Sequence, residues 1–186
     1  MTTAGIVLAA GQSKRFGDQN KLLVDFRGEP LARHAARAMA AAGFEHLIAV
    51  VSDKEVEILF DRFKIAHSQR GSQQSTSLRV GIRRAVSLNA QRIVIALADM
   101  PCIEPTTLKT IDNLCASEGM SGCTDGMTVS PPAGFSRQYF AALSGIRGDF
   151  GARSMLRSIP QRSLLKCPSE QLLDVDTIAD LSARPD

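Results

Sequence analysis

Tryptophan is missing from the 186 residues and tyrosine occurs once, so an aromatic platform for stacking single-stranded bases is not expected. Excess charge is small as well. Lys plus Arg number 22 and Asp plus Glu 19, leaving +3. That is too mild for the clustered basic face of a nucleic-acid binder, and it suits a local basic pocket for a small anion. No apolar run reaches the roughly 18 residues a membrane-spanning helix needs. The first such run follows only Met1, Thr2 and Thr3, without the basic flank and cleavage site of a signal peptide. Cys102, Cys115, Cys123 and Cys167 are scattered, with no C-x-x-C and no histidine at ligand spacing. This disfavours zinc and reads as reduced, packed thiols in a cytoplasmic protein.

What is present is an ordinary globular composition, 44% hydrophobic and 22% charged, long enough for one good core. Neither an internal repeat nor a low-complexity linker divides it, so residues 1–186 read as a single domain. Short β-rich runs alternate with helical stretches, the signature of a mostly parallel sheet covered by helices on both faces. "AGIVLAA" (4–10), "HLIAVVS" (46–52) and "RIVIALAD" (92–99) are strands, continuous rather than alternating because both faces are buried. Helices are expected over 30–43, with Pro30 in the first helical position, and from Ser52, with Glu55 completing a capping box. Further helices are expected over 75–87 and from Pro105. The turn-rich stretch 118–134 has no clear β-run. Short helices are expected at 136–146 and 151–159, an edge strand at 163–168, and a terminal helix over 174–184 capped by Asp176.

In such sheets ligands bind beyond the carboxyl ends of the strands, where strand order reverses. Two loops leave strands at that edge with unusual residues. In "AAGQSKRFGDQNK" (9–21), Ala9, Ala10 and Gly11 are small enough for main-chain N–H groups to approach an anion, and Arg15 and Lys21 add mobile positive charge. The pattern is neither G-x-G-x-x-G nor a P-loop, so a phosphate cradle and a solvated turn both remain open. In "ALADMPCIEP" (96–105), Asp99 closes an apolar strand. It is a hard oxygen ligand fit for Mg²⁺, and it lies six residues before Pro105, too far to cap that helix. In "GIRGDFGARSML" (145–156), Asp149 is either a second metal ligand or a helix cap. His34, Arg33 and Arg37 read as solvent-facing, His67 as structural, and Met100 as packing under the loop. Arg79 lies near enough to the rim to touch an anion.

"LAAGQSKRFGDQNKLL" (8–23), "LADMP" (97–101) and "RGDFGAR" (147–153) together resemble the signatures of MobA-like nucleotidyltransferases, nearest the molybdenum cofactor cytidylyltransferase (MocA-like) branch. "GSQQSTSLRVGI" (71–82), "PAGFSRQYF" (132–140) and "DVDTIADL" (174–181) echo it in the same order. The resemblance implies a Rossmann-like three-layer α/β/α fold. It implies Mg²⁺-dependent transfer of a nucleoside monophosphate to the terminal phosphate of molybdopterin, with release of pyrophosphate. Leu8, Ala9, Ala10, Gly11, Ser13, Arg15, Lys21 and Ser77 would bind the nucleotide, with Arg15, Lys21 and Asp99 catalytic, and Asp99 and Asp149 would hold the metal. Ala10-Gly11, in place of the double glycine of guanylyl-transferring members, implies CTP. A molybdoenzyme or its maturation factor is an implied partner. "SPPAGF" (130–135) departs from the branch: Ser130 and Pro131 replace a Gly-His or Gly-Val step, and Gly134 stands where a large apolar residue is usual. Guanylyl transfer, nucleotidyl transfer to a sugar or polyol phosphate, and non-catalytic cofactor carriage are the competing expectations.

Overall fold

The apolar run near the start of the chain becomes the central strand of the sheet. The computed structural model describes residues 1–11, 16, 19–71 and 73–182, with the side chains of 149–152 and 182 outside the description. Strand β1 (Thr3–Ala9) is buried along its whole length. It pairs in parallel with β4 (His46–Val51) on one side and β6 (Arg92–Leu97) on the other. With β5 (Lys64–His67), β7 (Met120–Thr124), β8 (Val129–Ser136) and β9 (Leu164–Lys166), the order is β5-β4-β1-β6-β8-β7-β9. The short strands β2 (Asp25–Phe26) and β3 (Glu29–Pro30) form a separate hairpin.

Because successive strand residues point to opposite faces, β1 feeds two cores. Val7 and Ala9 pack with α1 (Leu31–Ala41) and α4 (Pro105–Glu118) through Ala35, Met39, Leu108 and Ile111. Ile6 and Leu8 pack with α3 (Gln74–Ser87) and α5 (Phe140–Gly145) through Leu78, Ile82, Phe140 and Leu143. The one-turn α2 (Lys54–Glu57) joins the first layer through Val56, and α6 (Gly148–Arg157) the second through Met155 and Leu156. The three-layer arrangement is therefore present. Among the described residues no helix is long and apolar enough to cross a membrane.

Several sequence expectations are corrected. The 118–134 stretch holds β7 and most of β8, which turn antiparallel and dock β8 against β6. Strand pairing prevails over poor β-propensity there because α4 covers that part of the sheet. A Cβ on Gly134 would stand 2.6 Å from Ser121 Oγ and 2.9 Å from Cys115 Cβ, so glycine is what this close approach requires. Pro30 precedes α1 rather than starting it. Asp53, not Ser52, caps the helix that follows β4, its side chain accepting from Glu55 N. Among the described residues of 174–184, no helix capped by Asp176 forms: a 3-10 turn (Ala179–Ser182) is present, and the Asp180 carboxylate accepts from Asp176 N and Thr177 N. His34 is not solvent-facing, since its Nε2 lies 2.7 Å from Phe26 O and its ring meets Phe26 edge-on.

Candidate active site

Chain order reverses at the centre of the sheet. From β1 the chain builds outward through β4 and β5, then returns to the other side of β1 as β6. The carboxyl ends of β1 and β6 are thus a topological switch point. They carry the Ala9-Ala10-Gly11 segment and Asp99, as expected from sequence. Ala9 and Ala10 are buried and Gly11 is exposed. Among the described residues, chain neighbours aside, no atom lies within 4 Å of where a Gly11 Cβ would sit, so packing against them does not require the glycine there.

Lys21 opens a 3-10 turn (Lys21–Leu23) whose cap is Asn20, its side chain accepting from Leu22 N at 3.1 Å. The Lys21 ammonium lies 2.6 Å from Asp99 Oδ2 and 3.4 Å from Asp176 Oδ1, and donates to Val175 O at 3.0 Å. Burial, the largest single influence, pulls its pKa down, but Asp99, Asp174 and Asp176 together outweigh it, and the ammonium is held above its ordinary value. Val175 also donates its N–H to Asp99 O at 3.0 Å, so one buried residue of the C-terminal segment is tied to both members of the ion pair. Its side chain sits in a third apolar cluster with Phe16, Phe26 and Leu31. That anchorage brings Asp174 to Asp99. Desolvation, then the Asp99 charge, raise the Asp174 carboxyl to about 7.

The donor set can be tested for a divalent cation. Asp99 Oδ2 is taken by Lys21, whereas Asp99 Oδ1 is buried and has no hydrogen-bond donor among the described residues. A bond between the two carboxyls forms only while Asp174 carries a proton. No group of three or more His, Cys, Asp or Glu placed to hold a metal occurs among the described residues. One or two carboxylates completed by substrate phosphates is the usual Mg²⁺ arrangement, and Asp99 with Asp174 fits it. The thiols offer no rival chemistry: all four cysteines are free, and burial pushes the Cys115 thiol up to about 12.

Beside the carboxylates opens a cavity of about 350 Å³ on the α3 and α6 face of the sheet. Leu8, Leu97, Val129, Pro131 and Ala133 contribute apolar walls, with Asp174 also lining it, and Arg153 is the cation in its lining among the described residues. In β8, Ala133 belongs to the core of this face while Gly134 is pressed toward α4. Of the departures in "SPPAGF", therefore, Ser130 and Pro131 line the cavity and Gly134 does not.

The structure brings together Leu8, Ala9, Ala10, Gly11, Lys21 and Asp99 at this edge. Ser13 and Arg15 lie outside the described residues, as does the side chain of Asp149. The backbone of Asp149 is inside the first turn of α6 rather than before it. Ser77 is buried with its hydroxyl donating to Ser68 Oγ at 3.3 Å, and neither it nor Arg79 is in the cavity lining. Asp174 and Asp176 were not foreseen as site residues. Their signal was the "DVD" step itself, an apolar residue between two acids.

The family described as MobA-like NTP transferase domain matches residues 5–164. Purine catabolism protein PucB of Bacillus subtilis is 29% identical over 93% of this chain and 91% of its own. A probable molybdenum cofactor guanylyltransferase of Opitutus terrae is 30% identical over 60% and 55%. Rv0371c of Mycobacterium tuberculosis H37Rv superposes with a TM-score of 0.81 and 30% identity, covering 96% of this chain and 94% of that one. Its manganese complex superposes with 0.79 and 28%, covering 97% and 96%.

Proposed function

The chain belongs to the MobA-like NTP transferase family and is a nucleotidyltransferase, and we propose that it transfers CMP from CTP to the terminal phosphate of molybdopterin, releasing pyrophosphate. The observation that carries this reading is the Lys21–Asp99 contact of 2.6 Å beside Asp174, at the edge of a cavity of about 350 Å³. Lys21 and Arg15 would take the triphosphate oxygens, with main-chain N–H groups of the 9–11 segment closing around them. Asp99 and Asp174 would hold Mg²⁺, which when bound screens the repulsion between the two anionic reactants. The manganese complex of the mycobacterial relative supports a divalent ion.

An oxygen of the acceptor phosphate attacks the α-phosphorus in line. The new P–O bond forms as the bond to the bridging oxygen breaks, and pyrophosphate departs with that electron pair. The acceptor phosphate is already ionised at neutral pH, so no general base is required, and the chain's contribution is alignment and charge stabilisation. Without ligand, Lys21 and Asp99 neutralise each other. A triphosphate with its cation offers each a new partner.

Ala10-Gly11 supports CTP, while the name of the Opitutus relative supports guanylyl transfer as a second reading. Pyrophosphate release with each NTP, with and without molybdopterin and divalent metal, tests the proposal. Turnover that requires CTP and molybdopterin sustains it. A requirement for GTP selects the second reading, turnover with a sugar phosphate moves the acceptor class, and pterin binding without turnover makes the protein a carrier.

A further inference from the structure

The edge that carries Lys21 and Asp99 holds another acid, at the carboxyl end of β4. We propose that Asp53, acting through Asn20, is a positioning residue that sets Lys21 for departure of pyrophosphate. This rests on the nucleotidyl-transfer reading above. A three-residue 3-10 turn has poor hydrogen-bond geometry and little hold on its own shape, so the placement of a long lysine at its start depends on what anchors the cap. Asn20 is used at both ends of its amide. Oδ1 accepts from Leu22 N at 3.1 Å, and Nδ2 donates to Asp53 Oδ2 at 3.3 Å.

Asp53 is used at both oxygens in turn. Oδ1 caps α2 by accepting from Glu55 N at 2.9 Å, while Oδ2 receives the Asn20 amide. Arg70 Nη2 is 4.0 Å from Asp53 Oδ2 but 84% exposed, a pair that adds little. The Lys21 turn is thus locked to the end of β4, the neighbour of β1, and the lysine reaches Asp99 from a fixed origin. The contact needs a donor on one residue and an acceptor on the other, with an oxygen left on each for its cap. Two carboxylates would face each other in N20D, and two amide donors in D53N. Exchanging both in N20D/D53N restores the contact with its polarity reversed and keeps both caps.

The test measures kcat and KM for CTP and molybdopterin, with thermal midpoints, in these three variants and in N20S, which keeps the cap and lacks the donor. D99N is the reference. Each single variant is expected to lose roughly tenfold in kcat with its acceptor KM within about twofold, as misplacement of an aligned group does. The double exchange should recover most of the loss, and unchanged midpoints separate the effect from unfolding. If D99N is inactive while N20D, D53N and N20S turn over like the wild type, Asp53 positions nothing. The same holds if the double exchange is no better than the worse single. Full activity in D99N would remove the site reading and this inference with it.

Discussion

Asp99 is the residue on which most of the site's electrostatics turns, since one of its oxygens meets Lys21 and the other is buried without a donor among the described residues. Asp99→Asn keeps the shape and removes the charge. It should lower turnover by about 10² or more, the scale seen when one preorganised electrostatic group is lost, read as pyrophosphate release under saturating metal. Asp174 has a different signature. Its carboxyl is raised to about 7 by burial and by Asp99, so the folded chain binds this proton more tightly than the unfolded chain does. By linkage, ionising it costs stability as pH rises from the ordinary carboxylate range towards 7, and above 7 the cost is fully present. In metal-free protein, Asp174→Asn should therefore melt higher than the wild type at pH 8. The advantage should shrink towards pH 4, where both forms are neutral at this position. A difference that grows on acidification would contradict the assigned environment.

At the scale of elements, β8 shows why one departure from the family pattern is architectural. Gly134 meets α4, with Ser121 Oγ and Cys115 Cβ inside the distance a Cβ would need. Gly134→Leu, which would restore the larger residue, should destabilise by roughly 1–3 kcal/mol through overpacking, measured as a lower urea midpoint. Ser130 and Pro131 are the departures able to alter acceptor choice, because they line the cavity. The same element marks the limit of what pattern reading recovers. β1 and β6 were legible because burial on both faces writes a continuous apolar run. The hairpin of β7 and β8 was not, because the close approach of α4 selects glycine, and Pro131 and Pro132 fall where the β7–β8 register shifts. Asp99 was legible as an acid ending a strand. Asp174 was not, since 174–184 reads as a terminal helix capped by Asp176, and it is the burial of Val175 that fixes where this segment lies.

At the scale of the whole molecule, the Lys21–Asp99 group and a second charged cluster lie at opposite ends of the sheet. At the amino ends of β1 and β6, Asp112 Oδ1 accepts from Arg92 Nε at 2.8 Å and Thr3 Oγ1 at 3.0 Å, and Glu45 accepts from Thr3 N at 2.9 Å. Arg92 begins β6 and Asp99 follows its far end. At about 3.3 Å per residue the two clusters are on the order of 20 Å apart. Asp112 ties α4 to the sheet and is 4% exposed, so its removal leaves the Arg92 guanidinium without its carboxylate partner. Asp112→Ala should cost about 3 kcal/mol of stability, the lower end of what breaking a buried pair costs. Since the edge proposed to bind the nucleotide is held by other contacts, kcat and both KM values should match the wild type below the melting transition. Urea unfolding and pyrophosphate release on the same preparation read the two quantities side by side. A fall in kcat in fully folded protein would mean that the amino-terminal cluster and the site are coupled through β6, and the division of labour across the sheet would have to be abandoned.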